Sequence, residues 1–262
     1  MTISTLALAA LFLSPLQGPA QQGTEAPAKV SPAAAPQREP WSEEALDALI
    51  VELKEMMRLD QLHRTAVSWG TTDPEELARL EALDDEAHLA EWARRHREGI
   101  RLPKAEADEL MRKQGILDAK NLTRLSAIIR KHGYPSPEKL EIDAPDPLPV
   151  LIHASLEGYD AIADDLLVEA LAGRLHAKKY ASLSDRKRQH RGQLQLYGTC
   201  RAMDVTSGKV LAPEIESIEA TNDARAALGL PPLTEYRIAP KRASSSTDEK
   251  DQGGSAPQSV AR

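Results

Sequence analysis

The chain has 262 residues, a formal net charge of −7 and aromatic side chains at only 3% of positions, one of them Phe. Nucleic-acid surfaces use a basic face and stacking rings, so this balance argues against that class of partner. The lone cysteine, Cys200, excludes an intrachain disulfide and any thiolate zinc site, and leaves the core to Leu, Ile and Ala.

Residues 6–13 are an unbroken run of Leu, Ala and Phe, the length of a signal-peptide apolar region. Ser14 and Pro15 follow, and Gly18 and Ala20 place small residues at −3 and −1 of a cleavage site. A membrane-spanning helix needs roughly 20 apolar residues, so a leader is the better reading than a transmembrane domain. No Lys or Arg precedes Lys29, which departs from the usual basic start. The expectation is an extracytoplasmic protein, periplasmic or secreted; an uncleaved leader would act as an N-terminal membrane tether. Residues 21–40 are rich in Pro, Ala and Gln and show no apolar periodicity, and 240–262 share that character. Such stretches bury too little surface to offset their ordering entropy. The expected organisation is therefore a signal peptide over 1–20, a linker over 21–40, a mainly helical domain over 41–239 and a disordered tail over 240–262.

Within the domain, a long amphipathic pattern over 41–70 opens at Ser42, with Glu43 and Glu44 favoured by the helix dipole. Leu46, Leu49, Ile50, Leu53, Met56 and Met57 mark its buried face, and Gly70 ends it. Asp73 and Pro74 open a second helix running toward Arg97, and a short third covers 104–113. A helix over 118–132 carries the stripe Leu122, Leu125 and Ile129, closed by Gly133 and Pro135. Helices over 148–157 and 160–175 follow, or one helix kinked at Gly158, and then a helical or irregular stretch over 181–190. Residues 193–205 alternate with period two, Thr206-Ser207-Gly208 makes a turn, and 209–215 returns as a partner strand. A last short helix covers 221–228. The fold class is mainly α, a bundle-like domain with one C-terminal β-hairpin.

Polar residues interrupt these stripes. Past Leu53 and Met57 the first helix continues to Asp60, Gln61 and Arg64, where Asp60 and Arg64 have ion-pair spacing. The plainer alternative is a helix emerging into solvent. In the strand pattern Gln193, Gln195, Tyr197 and Thr199 share one face, either a water-facing hairpin side or a row of binding groups. His153 flanks Leu151 and Ile152, a position more often filled by a satisfied boundary histidine than by a catalyst. The basic run at 186–191 reads most simply as a solvated helix face. No histidine pair has metal-ligand spacing on one helix face, Asp–His pairs three apart are common by chance, and no phosphate loop or nucleophile motif is present. No metal site and no cofactor are expected.

The same positions carry a resemblance. Asp60-Gln61-x-x-Arg64, Asp118-x-x-Asn121, His132-Gly133-Tyr134-Pro135, His153-Ala154, Leu183-x-Asp185-Arg186, Gln195-x-Tyr197-Gly198-Thr199 and Arg225-x-x-Leu228-Gly229 occur in this order. Together they resemble a bacterial family of uncharacterised domains with a Tyr-Gly-Thr-Gln strand signature. The resemblance implies no reaction; it singles out Asp60, Gln61, Arg64, His153, Asp185, Arg186, Gln195, Tyr197 and Thr199. Cys200 stands where that family usually has Gln, and Ser155 where Asp commonly follows His-Ala. Two functions follow from the residues. The favoured one is a non-catalytic binding or structural module in which the polar residues form an internal network. The alternative is an enzyme with acid–base chemistry from Asp60, His153 and Tyr197 on an anionic small substrate, held by Arg64 or Arg186. The partner is left unassigned.

Overall fold

Ser42 accepts a hydrogen bond from Ala45 N and opens helix α1 (Glu43–Gln61), as an N-cap should. The structure, a computed structural model, describes residues 38–203 and 210–239. The expected leader, most of the linker, the turn at 206–208 and the tail lie outside the described residues. Arg38 and Glu39, from the end of that linker, are tied to the domain. Arg38 donates to Glu169 at 2.9 and 3.1 Å, and Glu39 N donates to Lys131 O.

The first predicted helix is two helices. α1 breaks after Gln61, and α2 (Arg64–Trp69) resumes two residues later, with one side chain bonded to the backbone at the break. His63 N donates to Gln114 Oε1 at 3.0 Å, and Gln114 Nε2 donates to Leu59 O at 3.0 Å. In an unbroken helix those two backbone groups would bond to each other. The Gln114 amide, fully buried, stands in that ladder position and splits the helix without leaving either group unpaired.

The second predicted helix is also divided, into α3 (Pro74–Glu81) and α4 (Asp85–Glu98), because Asp84 caps a new start by accepting from Ala87 N at 2.8 Å. Conversely, the two helices expected over 104–113 and 118–132 are one, α5 (Lys104–His132). Gly115 does not end it; a glycine in a helix interior costs only about 1 kcal/mol relative to alanine. Short α6 (Pro137–Leu140) lies in the Pro-rich connection. The break expected at Gly158 falls earlier. α7 (Leu148–His153) ends at Ala154, and Ser155 caps α8 (Leu156–Asp160) by accepting from Gly158 N. α9 (Ala163–Leu171) and α10 (Ala177–His190) complete the bundle.

Leu49, Leu53 and Met56 of α1 pack with Leu122, Leu125 and Ile129 of α5, Val150 and Leu151 of α7, Leu166 of α9 and Leu183 of α10 in one core. α1 and α5 pack on each other, and α7 packs on both and on α10. The fold is mainly α.

The β part is smaller than its pattern. β1 (Ala202–Met203) and β2 (Val210–Leu211) pair antiparallel, and β3 (Glu214–Ile215) pairs in parallel with β4 (Arg237–Ile238) across α11 (Ile218–Ala227). Residues 193–201 form no strand, apart from a single bridge from Gln195 to Ile215. Their backbone donors are taken by a side chain, as described next.

Candidate functional site

Two polar knots hold the residues that the sequence singles out. The first lies where the α1 break faces α5 and α7. His153 Nδ1 sits 2.9 and 3.0 Å from the two carboxylate oxygens of Asp60, which is 1% exposed. A carboxylate can only accept, so the proton of this hydrogen bond sits on Nδ1 and Nε2 is the nitrogen left free of Asp60. Gln61 Nε2 donates to Asp60 Oδ2 at 2.6 Å.

Arg64 is less a partner of Asp60 than its spacing suggests. Its guanidinium donates twice to Asp118, at 2.6 and 2.9 Å, and once to the Asp60 backbone carbonyl at 2.5 Å; the Asp60 carboxylate is 3.5 Å away. The fork geometry explains the preference, since two parallel N–H donors match one carboxylate. Gln114 Nε2 also donates to Asp118 Oδ1, and Asn121 Nδ2 donates to Met56 O. Asn121 is buried there. Gln114, Asp118 and Asn121 continue the α5 stripe upstream from Leu125 at steps of four and three. That register was the available signal for Gln114, which the sequence reading omits.

The second knot is built on Asp185 of α10, fully buried. Its Oδ1 accepts from Leu196 N and Tyr197 N, and its Oδ2 accepts from Thr199 N and Thr199 Oγ1, all between 2.7 and 2.9 Å. These are the donors that a strand would give to a neighbour, so the period-two segment becomes a loop wound round one carboxylate. Gly198 turns that loop at φ +64°, a conformation that disfavours side chains. Gln195 closes it reciprocally: Nε2 donates to Cys200 O at 2.7 Å and Cys200 N donates to Oε1 at 2.8 Å. Arg225 donates to the Tyr197 carbonyl at 2.8 Å. Gln195 and Tyr197 do share an inward side, both 5% exposed, while Gln193 and Thr199 are half-buried.

The three acid–base candidates therefore do not converge. Asp60 and His153 are bonded, whereas no hydrogen bond among the described residues joins Tyr197 to either. The Tyr197 ring instead meets Tyr180 edge-on, 6.1 Å between centroids, and burial pushes both phenols above their ordinary range. Burial likewise pushes the Cys200 thiol up, away from thiolate chemistry. Arg186 is half-buried and makes no hydrogen bond among the described residues. Two open surface depressions, of about 410 and 390 Å³, lie between α3 and α4 and between α1 and α5, and neither is lined by a candidate residue. Among the described residues no three His, Cys, Asp or Glu side chains are grouped to hold a metal.

Arg95, Glu169 and Lys187 are buried charges outside the residues that the sequence singles out. Glu169 takes Arg38, Arg174 and Tyr134 N; burial raises its pKa, but these hydrogen bonds outweigh that and hold it below the usual carboxylate range. Lys187, inside the basic run, is 1% exposed. Its spacing from Tyr180 and Leu183 puts it on the apolar stripe of α10, a signal that the surrounding charge conceals.

Residues 86–243 match the model of a family of unknown function, DUF6624. The chain belongs to that family. No curated protein matches it, and no solved structure does. The DUF6624 match opens at the start of α4 and takes in Asp118, His153 and the whole Asp185 knot. Asp60, Gln61 and Arg64 precede it, yet α1 packs into the same core, so the first knot joins matched and unmatched parts of this DUF6624 chain.

Proposed function

We infer that this DUF6624 protein is an exported, non-catalytic binding or structural module. The single observation that carries the reading is where the candidate polar groups end. Asp60, Asp118, Asp185 and Gln195 each terminate on partners inside the domain. Such a network is worth more than isolated pairs in a low-dielectric interior and fixes one arrangement of the elements it joins. Here it fixes the 193–201 loop on α10 and the α1 break on α5 and α7. Export is supported by the apolar run at 6–13, the small residues Gly18 and Ala20, and the Pro- and Ala-rich stretch after them. No helix among the described residues is long and apolar enough to cross a membrane.

One observation favours the acid–base alternative. His153 is oriented by a buried carboxylate at Nδ1, and its Nε2 makes no hydrogen bond among the described residues, an arrangement suited to a general base. Tyr197 is not part of that pair. The test is mass spectrometry of small molecules that co-purify with the full chain, for wild type, His153→Ala and Tyr197→Phe. A purely structural module holds no molecule that wild type keeps and both variants lose, and a ligand lost from both with melting unchanged overturns it. A molecule released chemically altered by wild type and unaltered by His153→Ala overturns the non-catalytic reading.

A further inference from the structure

Lys187 is the most unusual charge in the domain. Lysine is almost never fully buried unless paired, and no carboxylate lies within salt-bridge distance of it among the described residues. Its Nζ donates to the carbonyls of Ile152 at 3.0 Å and Ala154 at 2.5 Å, and lies 5.7 Å from the centroid of the Tyr159 ring. Those carbonyls belong to the end of α7, where helical C=O groups lack intrahelical partners and the dipole presents its negative pole. The charged and titratable groups facing it are Arg186 on its own helix, Arg191 just past that helix, and Asp160 and Tyr159 on α8. Burial first, then Arg186 and Arg191, push its pKa down to about 8; Asp160 pulls the other way.

We propose that Lys187 is the positioning residue for His153, gripping the peptide carbonyls on both sides of it and so fixing the imidazole against Asp60. α7 is six residues long, too short to hold its own end by helical cooperativity. His153 is its last residue, and its Nδ1 must meet both oxygens of Asp60 at about hydrogen-bond distance. Carbonyls 152 and 154 bracket that Cα, so two bonds to one ammonium set the direction in which the side chain leaves the backbone. Asp185, two residues earlier on α10, holds the 196–199 loop. One helix thus anchors both knots. The assignment goes beyond the module reading, because it holds whether His153 is a network member or a base.

The experiment is NMR of the full chain, labelled with 13C and 15N, in wild type and Lys187→Met. In wild type the His153 Nδ1–H gives a slowly exchanging signal. In Lys187→Met it exchanges faster by about tenfold or more while unfolding stays cooperative, and the Ile152 and Ala154 carbonyl carbons shift. If the variant does not fold, a wild-type titration from about pH 6.5 to 9.5 decides: the two carbonyl carbons move together with the His153 signal. A folded Lys187→Met with the His153 signal unchanged overturns the proposal, as do wild-type carbonyls that stay flat across that range. Failure of the non-catalytic reading would be seen in a molecule that wild type alters and His153→Ala does not, and would leave the Lys187 assignment standing.

Discussion

Asp60 and His153 meet across α1 and α7 through Nδ1, 2.9 and 3.0 Å from the two oxygens of a carboxylate that solvent barely reaches. Asp60 is the penultimate residue of α1, directly before its break. The buried Gln114 amide substitutes for the ladder bond at that point and turns the chain.

Gln114→Ala leaves His63 N without a partner, while Leu59 O keeps only the longer bond from Leu62 N at 3.3 Å. One unpaired donor costs about 1–3 kcal/mol, and a loss of that size is expected from denaturant unfolding. Gln114→Glu keeps the acceptor for His63 N but turns a carboxylate oxygen toward Leu59 O and Asp118 Oδ1, and should cost at least as much as Gln114→Ala.

Asp185→Ala leaves four donors of the 196–199 segment unpaired, and a loss of about 3 kcal/mol or more is expected by denaturant unfolding. Limited proteolysis should then cut within 193–201, where wild type resists. Asp185→Asn retains one acceptor oxygen and should protect the loop partially.

Gly133→Ala should destabilise strongly. The backbone there has φ +90°, and an added Cβ would lie 2.6 Å from Arg174 Nε and 2.8 Å from Glu169 Oε2. The substitution therefore strains the backbone and disturbs the Arg38–Glu169–Arg174 hub together. At about 2–4 °C per kcal/mol for a domain of this size, a melting-point drop of several degrees is the expected reading.

Lys187 also sets a pH dependence. Its folded pKa, about 8, lies below the ordinary 10.5, so between those values the unfolded chain holds a proton that the folded one has released. Stability contributed by this group therefore rises with pH across that window, by about 2–3 kcal/mol. Cys200 and the buried tyrosines are shifted up and act oppositely at the alkaline end. They are common to both proteins, so the difference between wild type and Lys187→Met, from urea unfolding at pH values from about 7.5 to 10, isolates the lysine.

How much of this was legible in the sequence depended on which groups satisfy the backbone. The apolar stripes gave α1, α5 and the core, because burial of Leu49, Leu53, Leu125 and Ile129 follows helical period alone. Caps at Ser42 and Asp73 were legible for the same local reason. What misled was long-range substitution of a side chain for a backbone partner. Gln114 breaks a continuous pattern from 51 residues away, and Asp185 turns a period-two segment into a loop. Asp60 and His153 were legible as polar residues beside apolar stripes, but their pairing, 93 residues apart, was not. Lys187 was hidden by its basic neighbours, although its spacing from Leu183 placed it inward.

Whether the Asp60–His153 pair holds the fold together is measured directly by a double-mutant cycle on unfolding free energy. With Asp60→Ala, His153→Ala and the double variant, each single change should cost about 1–3 kcal/mol, and the double should cost less than their sum by about 1 kcal/mol or more. If instead both single variants unfold within about 0.5 kcal/mol of wild type, the pair is not there to hold the fold, and the account is contradicted.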